Sequence, residues 1–455
     1  MLTTAGLARF TSCLRFADLP PEVVSRTRLL LLDCVGNMVR ARRDSESTPA
    51  LLAAVRAMGL TNGKARILAD VESYSPAGAV LVNATLAHSL DFDDTHAAAI
   101  VHPGASVIPA ALAAAEMSNA SGAEMLTAIV AGYEVALRLA LALPAGAHYQ
   151  RGFHPSATCG VFGAAASAAR VFKLDESKTA AAFGIALSQS AGSLQFLANG
   201  AWTKRFQVGW ASMGGFIAAT LAREGFKGAA QPIEGGYGFL RSYAPAPHPG
   251  RVLQDIGHVW ELMQTGVKPY PSCRWGHAGI DAAIAMRAKY GLRVQDIEAV
   301  TLGISHAGMS LVGEPVDQKI HPANIVDAQF SGPFVIATAL TIGKMEWDSY
   351  RLLEDPAIHD LMARIRCEED PEIEAEFPAN MSGKLTVKAN GETLTETVIV
   401  PKGEPANFLT DAEVSAKYAG LVDPVIGARA GARLAKAIMG VEHLTHAAAL
   451  LNEGI

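Results

Sequence analysis

The sequence predicts a mainly α protein, a large all-helical domain with a smaller α+β domain inserted before the C-terminal helices. Three observations predict it. Of the 455 residues, 50% are hydrophobic but only 7% aromatic, and alanine dominates the apolar set, which suits closely packed helices better than a β-sandwich. Helix signals fill the first 260 residues or so, then the texture breaks near residue 265 and strand-like segments follow. After Pro401 the alanine-rich helical texture returns, so the C-terminal helices are expected to pack back on the first domain.

Taken in order, Pro20 and Pro21 open a helix in which Val23, Val24, Thr27, Leu30, Leu31, Cys34 and Val35 recur at helical spacing. Ser121 and Glu124 read as a capping box before Met125, Ile129, Val130, Tyr133 and Leu137. Past the irregular stretch around Lys268, residues 277–290 read as a helix and 297–305 as a β-branched strand. Residues 383–400 form two alternating runs joined at Asn390 and Gly391, the signature of a type I′ hairpin. The expected domains are therefore 1–265 with 403–455, helical, and 266–402, α+β. The chain shows no internal repeat and no low-complexity segment.

A net charge of −6 and a pI near 6.1 supply no basic field, so no nucleic-acid partner is expected. Cys13, Cys34, Cys159, Cys273 and Cys367 are scattered, odd in number and never spaced as CxxC, which argues against a disulfide framework or a zinc ribbon and for the cytoplasm. The first seventeen residues lack a secretory pattern, and the longest uncharged run, from Thr179 to Thr203, is interrupted by Ser188, Gln189, Ser190, Gln195 and Asn199. A soluble protein without a membrane partner is expected.

Chemistry concentrates in residues 87–111, where Asp91, Asp93, Asp94, Thr95, His96 and His102 fall within a dozen positions. Magnesium sites of the DDxxD type need carboxylates four apart, but Ala97 and Ala98 stand four beyond Asp93 and Asp94. His96 and His102 are six apart, not the four of a helical zinc pair. No metal is expected. Proton transfer suits the residue types better: a histidine titrates near neutrality, and a carboxylate such as Asp91 can orient His102 across a turn. The alternative is a polar loop of solvated carboxylates. His102, followed by Pro103 and Gly104, is expected at a helix entrance.

Three further islands share this character. Residues 148–160 carry Arg151 and His154, the latter before Pro155 and a small-residue helix. Lys204 and Arg205 sit in a stretch otherwise free of charge from Thr179 to Arg223, and Lys268, Arg274 and His277 cluster where the texture changes. Singly each has a structural or solvated explanation. Together they have the composition of a site for an anion.

The islands DFDDTH…HPG, GFHPSATCG, TKRFQVGWA and KPYPSC…GH, in that order and at these separations, resemble the MmgE/PrpD family, whose members include 2-methylcitrate dehydratase, cis-aconitate decarboxylase and iminodisuccinate epimerase. The likeness continues in LPPEVVSRTRLLLLDCVG, HPANIVDAQFSGPF and PKGEPANFLTDAEVSAKY, so it covers nearly the whole chain. The resemblance implies a helical domain with an inserted α+β lid, a homodimer, and an active site between domain and lid that uses neither metal nor organic cofactor. It implies catalytic roles for Asp91, His102, His154, Lys204 and Lys268, with Thr95 beside them. Arg151, Arg274 and His277 join Thr95 as expected substrate-binding groups. The Asp91 to His102 interval is one residue longer than in the decarboxylase pattern, and Arg151 and Arg274 add cations to it, at places where substrate selectivity would be set.

The family's reactions share proton movement at a carbon next to a carboxylate, followed by loss of water, loss of carbon dioxide, or return of the proton to the other face. A cofactor-independent lyase acting on a small di- or tricarboxylate is therefore implied. Dehydration of 2-methylcitrate or a related citrate is the first expectation. Decarboxylation of a cis-aconitate-type acid and epimerisation of an iminodisuccinate-type acid are the alternatives. A non-catalytic carboxylate-binding protein is the alternative of another class.

Overall fold

The computed structural model describes residues 2–453. It is mainly α, with one four-stranded sheet and two short strand pairs. The chain divides into two compact units: one runs to Val267 and resumes at Thr410, and the other is Lys268–Leu409.

The larger unit is built around helices Gly104–Ser118, Gly122–Ala142, Gly160–Val171 and Thr203–Arg223, which pack on one another through small residues. Ala164, Ala165, Ala166, Ala168 and Ala169 are all fully buried, so the alanine-rich composition becomes close helix approach. The Gly122–Ala142 helix is long and apolar enough to cross a membrane, yet 94% of its apolar window is buried inside the unit. It also encloses an ion pair: Arg138 Nε donates to Glu134 at 2.8 Å, and the guanidinium donates to the carbonyls of Gln254 and Val259 at 2.6 and 2.5 Å. A buried pair survives only when its remaining donors are satisfied, and here they staple the 254–262 segment to the core. The expected capping box at Ser121 and Glu124 is present, and Pro21 opens the Pro21–Asp44 helix. Against that helix packs Asp411–Ile426, from the far end of the chain.

In the smaller unit the sheet order is Ile365–Glu369, Ile297–Ile304, Gly383–Ala389, Glu392–Val398, with the first pair parallel and the others antiparallel. Leu385 and Val387 point into a core shared with helices His277–Tyr290 and Gly332–Ile342, while Lys384, Thr386 and Lys388 alternate outward. The hairpin turns at Asn390 and Gly391 with φ of 50° and 77°, the left-handed pair that a type I′ turn requires. None of the five cysteines is joined in a disulfide.

Candidate active site

The Pro76–Ala87 helix stops at His88, its C-cap, and an irregular segment leads from there to the Gly104–Ser118 helix. His88, Asp91, Asp93, Asp94, Thr95 and His96 are all buried on it, so the solvated-loop alternative fails. Polar groups buried in such number need partners. Asp94 Oδ1 accepts the backbone N–H of Gly104 at 3.1 Å, and its Oδ2 accepts the Tyr133 hydroxyl at 2.6 Å. Gly104 is required there, because a Cβ would lie 2.6 Å from the Tyr133 hydroxyl and 2.8 Å from Asp94 Oδ1. The Phe92 carbonyl accepts from Asn37 Nδ2 at 3.3 Å and from Lys417 Nζ at 2.6 Å. Thr95 and His96 form a short antiparallel pair with Thr265 and Gly266. The segment is thereby fixed on three sides.

Held this way, it presents His88 and His102, and His154, the N-cap of the Pro155–Thr158 turn, joins them. Nδ1 of His88 lies 2.7 Å from Asp93 Oδ2, and Nδ1 of His102 lies 3.2 Å from the same oxygen. The His88 ring meets His102 edge-on at 4.7 Å and stacks on His154 at 5.8 Å. Burial alone would push the Asp93 carboxyl up, but His102 and His88 outweigh it and hold Asp93 well below the usual carboxylate range. His154 has the opposite surroundings: burial above all, with Lys204 and His102 nearby, holds it well below the usual imidazole value. Its Nδ1 receives Gln207 Nε2 at 2.8 Å, and that amide is oriented by Ser193 N–H donating to Gln207 Oε1 at 2.8 Å. His154 is therefore a neutral imidazole with its proton on Nε2.

Lys204, in the first turn of Thr203–Arg223, donates to Asp91 Oδ1 at 2.5 Å, and Asp91 reaches it from a left-handed backbone, φ 52°. Aspartate is among the few non-glycine residues that tolerate that conformation. This corrects the expectation that Asp91 orients His102: the carboxylate at His102 is Asp93, and Asp91 pairs with Lys204. Arg205 turns to the hydroxyls of Ser45 and Ser47 at 3.1 and 3.3 Å. Arg151 is exposed, its guanidinium 5.5 Å from the Phe153 ring centroid. In the smaller unit Lys268 and His277 are buried, His277 Nε2 lies 3.2 Å from the Ser272 carbonyl, and Arg274 forms an ion pair with Glu404.

The larger unit thus brings together Asp91, His102, His154 and Lys204, with Thr95 buried on the same loop as Asp91, and adds three residues that sequence reasoning did not select. Gln207 had a readable signal, since it follows Lys204 by three positions on one helix face. Asp93 was visible but indistinguishable from its neighbours, and His88 follows directly on the apolar run of the Pro76–Ala87 helix. His88, Asp93 and His102 also offer metal-ligand atom types within 4.8 Å of one another. Two ligands of a tetrahedral zinc stand about 3.3 Å apart. The 2.7 Å contact between His88 and Asp93 is instead a hydrogen-bond distance.

Fold and site define a mainly α protein with a buried imidazole–carboxylate cluster beside a lysine–aspartate pair. Residues 5–251 match the MmgE/PrpD N-terminal domain and residues 270–442 the MmgE/PrpD C-terminal domain. The chain belongs to the MmgE/PrpD family, and it is a lyase of that family. It is similar to the cis-aconitate decarboxylase-like protein oryM of Aspergillus oryzae (strain ATCC 42149 / RIB 40), 26% identical over 96% of this chain and 94% of that one. It is 23% identical to the cis-aconitate decarboxylase of Aspergillus terreus over 99% of this chain and 95% of that one. To the cis-aconitate decarboxylase of Homo sapiens it is 30% identical over 65% of this chain and 62% of that one.

Proposed function

We propose that this protein decarboxylates a cis-aconitate-type unsaturated tricarboxylate, with His102 supplying the proton and no resident cofactor taking part. The observation that carries the reading is the unequal pair of histidines: His102 against an ionised carboxylate, and His154 held neutral nearby. The relatives named above as cis-aconitate decarboxylases move the weight from dehydration, the first expectation, to its decarboxylating alternative.

In such an acid one carboxylate is carried on a methylene next to the double bond. Breaking its C–C bond releases carbon dioxide, and the electron pair forms a new double bond to the central carbon. The old double bond then takes a proton at the carbon bearing the other terminal carboxylate. His102 gives that proton from an imidazolium stabilised by Asp93, and solvent restores it after turnover. His154 donates its Nε2–H to the carboxylate on which charge accumulates, and Lys204 offers a fixed cation beside it.

The test is incubation with cis-aconitate, citrate, 2-methylcitrate and iminodisuccinate in D₂O, followed by proton NMR. The expected product from cis-aconitate has lost carbon dioxide and carries one deuterium in the new methylene. Loss of water from a citrate, with no carbon dioxide formed, would return the reading to a dehydratase. Tight binding of a panel member without exchange or conversion would favour a carboxylate-binding protein.

A further inference from the structure

We propose that His88 is a positioning residue: its Nδ1–H donates to Asp93 and holds that carboxylate beside His102, as the counter-charge of the imidazole that moves the proton. The inference rests on the assignment of His102 to proton transfer. It starts from the shared oxygen. Asp93 Oδ2 contacts both imidazoles, and His88 is the nearer, at 2.7 Å against 3.2 Å. Two lone pairs facing each other at 2.7 Å would repel, and an ionised carboxylate can only accept, so Nδ1 of His88 carries a proton. The Nε2 of His88 is buried with no hydrogen-bond partner. A second proton there would be an unsatisfied buried N–H beside a cation, so the ring is neutral with its proton on Nδ1.

A neutral donor at that place divides the charge of Asp93. Without it, Asp93 would turn its full negative charge on His102, bind the imidazolium more tightly and make it a weaker acid. The ring also packs against the other two imidazoles, edge-on to His102 and stacked on His154. The remaining charged groups around this chain are Asp33 and Asp94 near Asp93, Lys417 beside Asp33, and Lys204 near His154, itself paired with Asp91. None of these donates to Asp93 Oδ2 in His88's place.

The test compares His88→Leu, which removes the donor, with His88→Asn, whose amide N–H takes the place of Nδ1–H. In His88→Leu kcat should fall at least about tenfold with KM little changed, a smaller loss than removal of His102 itself. The ionisation that governs kcat should move up by about one pH unit. His88→Asn should recover most of both. A purely structural role predicts neither the pH shift nor the recovery. A second readout needs no substrate: with ¹⁵N-labelled histidine, wild-type His88 should show a protonated Nδ1 and bare Nε2 at neutral pH, and His102 should titrate higher in His88→Leu than in wild type. A wild-type His88 with its proton on Nε2, or a His102 titration unmoved in His88→Leu, overturns the proposal. If His88→Leu does not fold, the wild-type tautomer decides. Full activity in His102→Gln would instead sink the proton-transfer reading, whatever the His88 variants do.

Discussion

His102 and His154 are the same side chain in one buried cluster, and their neighbours assign them different chemistry. Ionised Asp93 favours a cation at His102, whereas Gln207 and the surrounding positive groups fix His154 as neutral. Loss of a general acid or an electrostatic stabiliser typically costs about 10² to 10⁴ in rate. On the proposed function, His102→Gln and Lys204→Ala should each lower turnover at least about a hundredfold, with circular dichroism reporting an intact fold. Asp93→Asn should do the same without disturbing the loop, because it removes charge and not volume. Wild-type rates in His102→Gln and Asp93→Asn would leave the mechanism without its proton donor. Sequence reasoning found both histidines and Lys204 because each stands in an otherwise uncharged or small-residue setting. It chose the wrong carboxylate for His102, since Asp91 and Asp93 are equivalent by spacing. The left-handed backbone at Asp91 sends its side chain to Lys204, a turn that no neighbouring glycine signals.

The loop carrying these residues is held by elements distant in sequence, and its stability is a matter of buried charge. Lys417, on the returning Asp411–Ile426 helix, pairs with Asp33, stands over the Phe92 ring at 3.8 Å and donates to the Phe92 carbonyl. Removing one partner of a buried pair leaves the other charge uncompensated and costs about 3–5 kcal/mol. Lys417→Met should lose that much in urea unfolding, whereas Lys289→Met, at an exposed pair 3.9 Å from Glu396, should change stability by about 0–1 kcal/mol. Equal effects from the two substitutions would deny the anchor its role. Asp94 offers a test through pH. Burial, followed by Asp93 and Asp33, raises its carboxyl to about 8 against the hydrogen bonds from Tyr133 and Gly104. An acid raised in the folded state stays protonated where the unfolded chain has already ionised, so stability falls as pH rises from the ordinary carboxylate value towards about 8. Asp94→Asn is neutral throughout, and its melting temperature relative to wild type should improve steadily from pH 5 to about pH 8 and level off above it. A difference that stays flat with pH would show that Asp94 is ionised throughout. Helix starts and the hairpin were legible because capping residues, prolines and Asn390 with Gly391 act locally. The anchor was not, because Lys417 reads as one more polar position on an amphipathic helix until the fold brings it to Phe92.

Across the whole molecule, the resemblance was legible because its islands span both units, and the matched domains cover residues 5–251 and 270–442. The same breadth bears on whether an ion belongs to this protein. Among the described residues the group His88, Asp93 and His102 offers the atom types a metal would need. Its contacts at 2.7 and 3.2 Å converge on one carboxylate oxygen, so an ion there would have to break the hydrogen bond that keeps Asp93 between two imidazoles. A resident ion that binds only the folded state adds RT ln(1 + [L]/Kd) to stability, which is about 2.7 kcal/mol at a hundredfold excess over Kd. Chelation would then lower the melting temperature as well as the activity. The expected outcome is that exhaustive chelation changes neither, and that metal analysis of the purified protein finds no stoichiometric ion. Added zinc should inhibit by competing for the imidazoles that His88 and His102 turn to Asp93. A drop in melting temperature on chelation, reversed by one metal together with activity, would turn this cluster from a proton-transfer chain into a ligand set.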